Sequence, residues 1–240
     1  MAKSKLYMEA YRAAAGMSAY VNGGISTGGR SIDVTSRYAG MTLAQAEDVL
    51  RGISDHEEAV IFDKNMNVIA AYSGVESSVS IPDSLKSRRD ITITHNHPGG
   101  EADYGGVLSP ADVSWFATSK AAEIRAVASG QGEFVYSLQV RGRQSTVSTQ
   151  YAKTQLNLWA QRTKRDVLPV SKGGTGKLQS DYRRLYNQHR RNGASKAAAS
   201  HAAWQQATGI VERSLSDKVA ELSGRGAIYY ARNRYYNVGR

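Results

Sequence analysis

The sequence predicts a mixed α/β (α+β) fold: a mixed β-sheet flanked by helices, followed by a basic, mostly helical C-terminal extension. Three observations carry this. Apolar residues recur at helical spacing over residues 42–52 and then give way to short apolar runs from Ala59 onward. A β-branched run, Ile91-Thr92-Ile93-Thr94, stands between two turn-rich stretches. After Ser145 the chain becomes polar, Ala-rich and strongly basic.

Taken in order, residues 5–20 read as a short Ala-rich helix, and Asn22–Arg37, rich in Gly, Ser and Thr, as a loop. Thr42 suits a helix N-cap, Leu43, Ala46, Val49 and Leu50 share a helical face, and Gly52 suits the helix end. Ala59–Phe62 and Val68–Tyr72, joined by Lys64-Asn65-Met66-Asn67, read as a β-hairpin. Residues 75–85 are ambiguous. The strand at Ile91 is expected to end at His95. A Gly-rich loop follows over residues 99–108, and Ser109 and Pro110 then fit the cap and first position of a helix running to about Ala122. Glu123–Ser129 and Glu133–Val140 read as two more strands. Residues 146–168 read as a polar helix, residues 171–177 as a flexible break and residues 179–223 as helix, before a basic, aromatic tail. The expected division is therefore an N-terminal helix and loop (1–40), a compact α/β domain (41–145) and a basic extension (146–240).

The charge is unevenly placed. Residues 151–240 hold 17 Lys and Arg against 5 Asp and Glu, a net of +12, while the first 150 residues hold 14 against 16, a net of −2. The 240-residue chain has no cysteine, so disulfides and thiolate metal sites are excluded and any metal must be held by His, Asp or Glu. Neither a signal peptide nor an apolar run of membrane-spanning length is legible, so a cytoplasmic protein, not one secreted by a signal peptide, is expected.

The chemistry concentrates between His95 and Asp112. Two histidines at i and i+2 on a strand point to one side and can reach one ion. Zinc accepts imidazole nitrogen and carboxylate oxygen and can keep a position for water. Asp112, in the first turn of the next helix, can be the third ligand; Asp103, in the loop, is a weaker substitute. Zinc brings the pKa of such a water to about 7, and a neighbouring carboxylate must then move its proton. The acidic pair Glu57 and Glu58, just before the first core strand, supplies the candidates. Ser109 can donate to an oxyanion. His56 reads as a surface residue. Gly173-Gly174-Thr175-Gly176-Lys177 lacks the spacing of a phosphate-binding loop.

An upstream Glu, then His95-Asn96-His97-Pro98, then Ser109-Pro110-Ala111-Asp112 resembles the JAB/MPN (JAMM) metallopeptidase family, in its RadC-like and phage-associated branch. The resemblance covers roughly residues 42–140. It implies zinc held by His95, His97 and Asp112, Glu57 as general base and acid with Glu58 as the alternative, and Ser109 at the oxyanion. It also implies hydrolysis of an amide bond in a protein or peptide, in a bacteriophage or mobile-element setting with phage structural proteins as partners. The stretch between His97 and Ser109 is longer than the family's usual spacing, and the extra residues fall in the Gly-rich loop, where insertions are tolerated.

Arg183, Arg184, Arg190 and Arg191 cluster at helical spacing, and Arg232 and Arg234 interleave with Tyr229, Tyr230, Tyr235 and Tyr236. Arginine among aromatic residues suits nucleic acid or an acidic protein surface. The tail has no continuous apolar face to suit a membrane. A second expectation follows: a structural virion or head-assembly protein whose JAB-like domain serves binding and whose basic tail contacts nucleic acid.

Overall fold

A computed structural model describes residues 24–26, 30–76, 78–98, 108–128, 134–140, 146–167, 173–223 and 228–234. The expected helix over 5–20 lies outside them. The described elements are β1 (Gly24–Ser26), β2 (Ile32–Asp33), α1 (Thr35–Tyr38), α2 (Leu43–Arg51), β3 (Glu58–Phe62), β4 (Val68–Ser73), β5 (Ser78–Ser80), α3 (Asp83–Lys86), β6 (Thr92–His97), α4 (Pro110–Thr118), β7 (Glu123–Ala128), β8 (Phe134–Val140), α5 (Thr146–Val167), α6 (Lys177–Arg191), α7 (Lys196–Ser223) and β9 (Ile228–Arg234).

Seven strands form one mixed sheet in the order β2-β4-β3-β6-β7-β8-β9, and β1 pairs with β5 in a small parallel sheet of their own. Within the large sheet β6 and β7 run parallel and the other pairs antiparallel. The parallel pair needs a crossover, which α4 provides. β3 is buried throughout, as is β6 up to Asn96, because the sheet is covered on both faces. On one face Ile61, Ile93, Ile124 and Leu138 pack with α4 (Val113, Phe116), α5 (Leu156, Trp159) and α7 (Trp204, Val211, Leu215). On the other, Val60, Phe62, Val127 and Val135 pack with Tyr38 of α1 and Ala46 and Leu50 of α2.

The α/β class holds. Thr42 caps α2 in a reciprocal capping box with Gln45, and the Gly52 amide closes the helix on Val49 and Leu50. The hairpin of β3 and β4 forms with a register shift at Ile61/Phe62. Several expectations need correction. The stretch read as loop between Asn22 and Arg37 contains β1, β2 and α1, because Gly24–Ser26 gains its strand partner from β5, far along the chain. β6 does not end at His95 but continues to His97 beside β7. Helix α4 stops at Thr118, where Ser119 turns extended, instead of reaching Ala122. The segment 179–223 is two helices, broken at Asn192–Ser195, where Gly193 takes φ 85°. Residues 173–176 form a defined link in which the Thr175 amide donates to the Arg165 carbonyl at 2.9 Å. The expected boundary near residue 145 is crossed by the sheet: β9 pairs with β8 along its whole length, from Ile228 opposite Val140 to Arg234 opposite Phe134. Among the described residues no helix is long and apolar enough to cross a membrane.

The early end of α4 has a partner that the sequence does not advertise. Lys153 of α5 is buried, and its Nζ donates to the carbonyls of Ser119 at 2.8 Å and Ala121 at 3.3 Å, 4.5 Å from the Phe116 ring centre. Lys153 thus satisfies two main-chain carbonyls just past the end of α4. Burial nevertheless pushes the ammonium down from 10.5 to about 8. A base whose folded pKa is depressed contributes stability above its unfolded pKa and loses it as pH falls through the folded one. Stability is therefore expected to rise between about pH 8 and pH 10.5 through this group, by about 1–3 kcal/mol. Denaturant melts of wild type and Lys153→Met across that range check this: the difference between them must change with pH, and parallel curves would refute the assignment.

Candidate metal centre

Three side chains from two neighbouring elements converge at the His97 end of β6. His95 and His97 project from the same face of the strand, and Asp112 is the third residue of α4. The His95 and His97 Nε2 atoms lie 3.0 Å apart. His95 Nε2 is 3.1 Å from Asp112 Oδ1, and His97 Nε2 is 3.1 Å from Oδ2. The three can hold a metal ion, with donor atoms within 4.8 Å of one another. Their chemistry fits a cation better than a set of internal hydrogen bonds. Two imidazole nitrogens at 3.0 Å can bond only if one carries a proton, whereas one ion can accept both lone pairs and the carboxylate.

Asp112 is held by more than the histidines. Its Oδ1 accepts the Ile25 amide at 2.8 Å, and its Oδ2 accepts the Ser109 amide at 2.8 Å. The Asp112 amide in turn donates to Ser109 Oγ at 3.1 Å, so a reciprocal cap fixes the start of α4. Pro110 at the first helical position gives up no hydrogen bond there. Burial opposes charge on Asp112, but the charge and hydrogen bonds of His95 and His97 outweigh it and hold the carboxyl well below the usual carboxylate range. His95 and Asp112 are fully buried, Ser109 and Glu57 nearly so, and His97 is the partly open member. His95 Nδ1 is buried with no hydrogen-bond partner among the described residues. Between His95 and Asp112, it is the carboxylate that carries the supporting hydrogen bonds.

The register separates the two acidic candidates. Ala59 lies opposite His95 across β3 and β6. Alternation carried two residues back from Ala59, to just before β3 begins, puts Glu57 on the histidine face at the His97 end and Glu58 on the other. Main-chain pairing fixes Glu57: its amide donates to the Val75 carbonyl at 2.9 Å, and its carbonyl accepts from Gly74 at 2.8 Å. Gly74 is packed so tightly that a Cβ there would stand 2.1 Å from the Ser78 carbonyl oxygen. The Glu58 carboxylate turns to the opposite face, where it accepts from Tyr38 Oη at 2.5 Å and Arg37 Nη1 at 2.6 Å and meets His56 Nε2 at 3.0 Å. Burial works against its charge, yet these three partners pull its pKa down. They also explain Tyr38, whose hydroxyl is pushed up by burial and by the carboxylate. His56 is no bare surface residue: it is half-buried between Asp55 and Glu58, and although burial favours its neutral form, these two carboxylates raise its pKa.

Asn96, between the two histidines, faces this second network. Its Oδ1 accepts the Glu58 amide at 2.6 Å, while its Nδ2 donates to the carbonyls of Ile53 at 3.1 Å and His56 at 2.9 Å. One side chain on the ligand strand therefore clamps the backbone on both sides of Glu57. The sequence reading missed Asn96, although a polar residue alternating with two histidines on a buried strand is itself a signal. It also missed the Ile25 amide, for which a main-chain donor leaves no signal.

The remaining sequence candidates are dispersed. Asp103 lies outside the described residues. Arg183, Arg184, Arg190 and Arg191 are all exposed on α6. Arg232 is exposed but already engaged within the chain: its guanidinium lies 3.9 Å from the Phe134 ring centre and 5.6 Å from that of Tyr136, with Glu212 at 3.5 Å. Arg234 stands opposite Phe134 in the β8–β9 register. Tyr230 packs toward Tyr136, with ring centres 6.5 Å apart. Tyr235 and Tyr236 lie outside the described residues. No protein-family model matches this chain, and no curated protein or solved structure matches it either.

Proposed function

We propose that the chain is a zinc-dependent hydrolase of the JAB/MPN metallopeptidase type that cleaves an amide bond in a protein or peptide. The observation that carries the reading is the convergence of His95, His97 and Asp112, with Glu57 on the same face of the sheet. His95 and His97 would give two nitrogens and Asp112 one oxygen, leaving room for water and substrate. When bound, zinc supplies Lewis acidity: it makes water nucleophilic near neutral pH and polarises the scissile carbonyl.

The chain's own residues do the rest. Glu57 takes the proton of the attacking water and returns it to the departing amine, the general acid–base role that amide hydrolysis requires. Ser109, at the mouth of α4 beside Asp112, donates to the oxygen on which negative charge develops. The Ile25 and Ser109 amides hold the Asp112 carboxylate in one orientation, so the ligand set is prepared before metal arrives. Glu58, committed to Tyr38, Arg37 and His56, supports the strand and takes no part in the chemistry.

The test compares zinc-loaded wild type, Glu57→Gln and Glu58→Gln on a library of peptides and isopeptide-linked conjugates, with cleavage read by mass spectrometry. Wild type is expected to cleave at least one class. Glu57→Gln should lose cleavage by about 100-fold or more while still binding zinc. Glu58→Gln should lower thermal stability and keep turnover per folded molecule. Loss of turnover in folded Glu58→Gln with full activity in Glu57→Gln would reverse the assignment. Zinc-loaded wild type that cleaves no amide substrate would favour a binding role for the domain, as in a virion or head-assembly protein.

A further inference from the structure

Helix α6 is sharply two-sided. Leu178 and Leu185 are buried, and Tyr182 and Tyr186 are half-buried. Tyr182 meets Trp204 of α7 edge-on at 6.0 Å and bonds Ser200 Oγ at 2.9 Å. The opposite side carries Lys177, Arg183, Arg184, Arg190 and Arg191, all exposed. At 100° per residue these five fall within one arc, with Ser180 and Asn187 between them.

Only part of this charge is used within the fold. The only acid in α6, Asp181, stands 3.4 Å from Arg184. Arg190 bonds the Ala194 carbonyl, and together with Arg191 it suits the negative end of the helix. Arg183 has no such role. Among the described residues the side chains of Lys177, Arg183 and Arg191 make no hydrogen bond or ion pair, so most of the positive charge is uncompensated and faces solvent.

Three features narrow the partner. The exposed arc carries no apolar side chain, so it has nothing to insert into a lipid interface and no dry centre for a protein interface. It carries no aromatic ring, because Tyr182 and Tyr186 face α7, so it offers no stacking platform for single-stranded bases. The pairs Arg183/Arg184 and Arg190/Arg191 are seven residues apart, which is about 10 Å along the axis. That is comparable to the roughly 12 Å width of the major groove of a duplex, so the two pairs can reach phosphates on both of its sides.

We propose that this face of α6 binds the phosphate backbone of double-helical nucleic acid without reading its sequence. The interface is α6 itself, since Arg232 is occupied by Phe134, Tyr136 and Glu212. The surface uses none of the residues of the metal centre.

The experiment is fluorescence anisotropy of the full chain with labelled DNA duplex, RNA duplex and single-stranded DNA of scrambled sequence, over a series of salt concentrations. Anionic phospholipid vesicles serve as a separate arm. Wild type should bind duplex more tightly than single strand, with affinity falling steeply as salt rises; comparing the DNA and RNA arms identifies the duplex preferred. The variant Arg183→Gln/Arg184→Gln/Arg190→Gln/Arg191→Gln alters only exposed side chains and is checked for native circular dichroism. It should weaken duplex binding at low salt at least tenfold and reduce the slope of log affinity against log salt by about 3 to 4. Arg232→Gln and His97→Ala should bind duplex as wild type does, so failure of the hydrolase reading leaves this result standing. No duplex binding by wild type at low salt, an unchanged slope in the quadruple variant, or binding only to single strands or vesicles would each overturn the proposal.

Discussion

Protein equilibrated with zinc and freed of excess metal is expected to retain about one ion per chain, and His95→Ala/His97→Ala to retain none. The expectation rests on the 3.0 Å separation of the two Nε2 atoms and on the approach of each to one carboxylate oxygen of Asp112 at 3.1 Å. Without a cation, two imidazoles and a buried carboxylate must share protons, and the charge on Asp112 is balanced only by protonation of a neighbour. A divalent ion replaces that arrangement, so zinc should also raise the melting temperature of wild type and leave the double variant unmoved. Asp112→Asn should behave differently from the histidine variants. It weakens zinc binding and also brings an amide group against the Ile25 and Ser109 N–H donors, so it loses stability even without metal. Elemental mass spectrometry and thermal melts with and without zinc provide the check. Wild type that retains no zinc, or a double variant that retains as much as wild type, would remove the metal centre.

Asn96→Ala is expected to destabilise the protein on the order of 3 kcal/mol, since each buried polar group left without a partner costs about 1–3 kcal/mol. Three main-chain groups lose this hydrogen bond at once: the Glu58 amide and the carbonyls of Ile53 and His56. Asn96→Asp separates the contributions. It keeps an acceptor for the Glu58 amide but turns a carboxylate oxygen toward two carbonyls and adds a charge near Glu58, so it should be at least as damaging at neutral pH and recover in acid. Hydrogen exchange at the Glu57 and Glu58 amides should accelerate in either variant before global unfolding, because the clamp brackets that segment. Denaturation at several pH values, with exchange read by mass spectrometry, tests both points. An Asn96→Ala protein as stable as wild type, with unchanged exchange at residues 57–58, would show that the clamp is unimportant.

The sequence alone was enough for the local features. The Thr42 and Ser109 caps, the β3–β4 hairpin and the β-branched start of β6 are each specified within a few residues, and local hydrogen bonding enforces them. The donor set of the centre was also legible, because alternation along a strand puts His95 and His97 on one face, and a capping carboxylate stands at a fixed place on a helix. What required the tertiary structure was every feature whose partner is remote in sequence. β1 is a strand only because β5 lies beside it, and its Ile25 amide reaches Asp112 across 87 positions. Glu57 is distinguished from Glu58 by the register of β3 on β6, since one residue of slip exchanges the faces. The tail was legible as basic and aromatic. Yet β9 packs Tyr230 against the core and commits Arg232 to the rings of β8 and to Glu212, while Arg183 and Arg191 of α6 are left without such partners among the described residues. Composition records which charges a chain carries; packing decides which of them remain available to a partner.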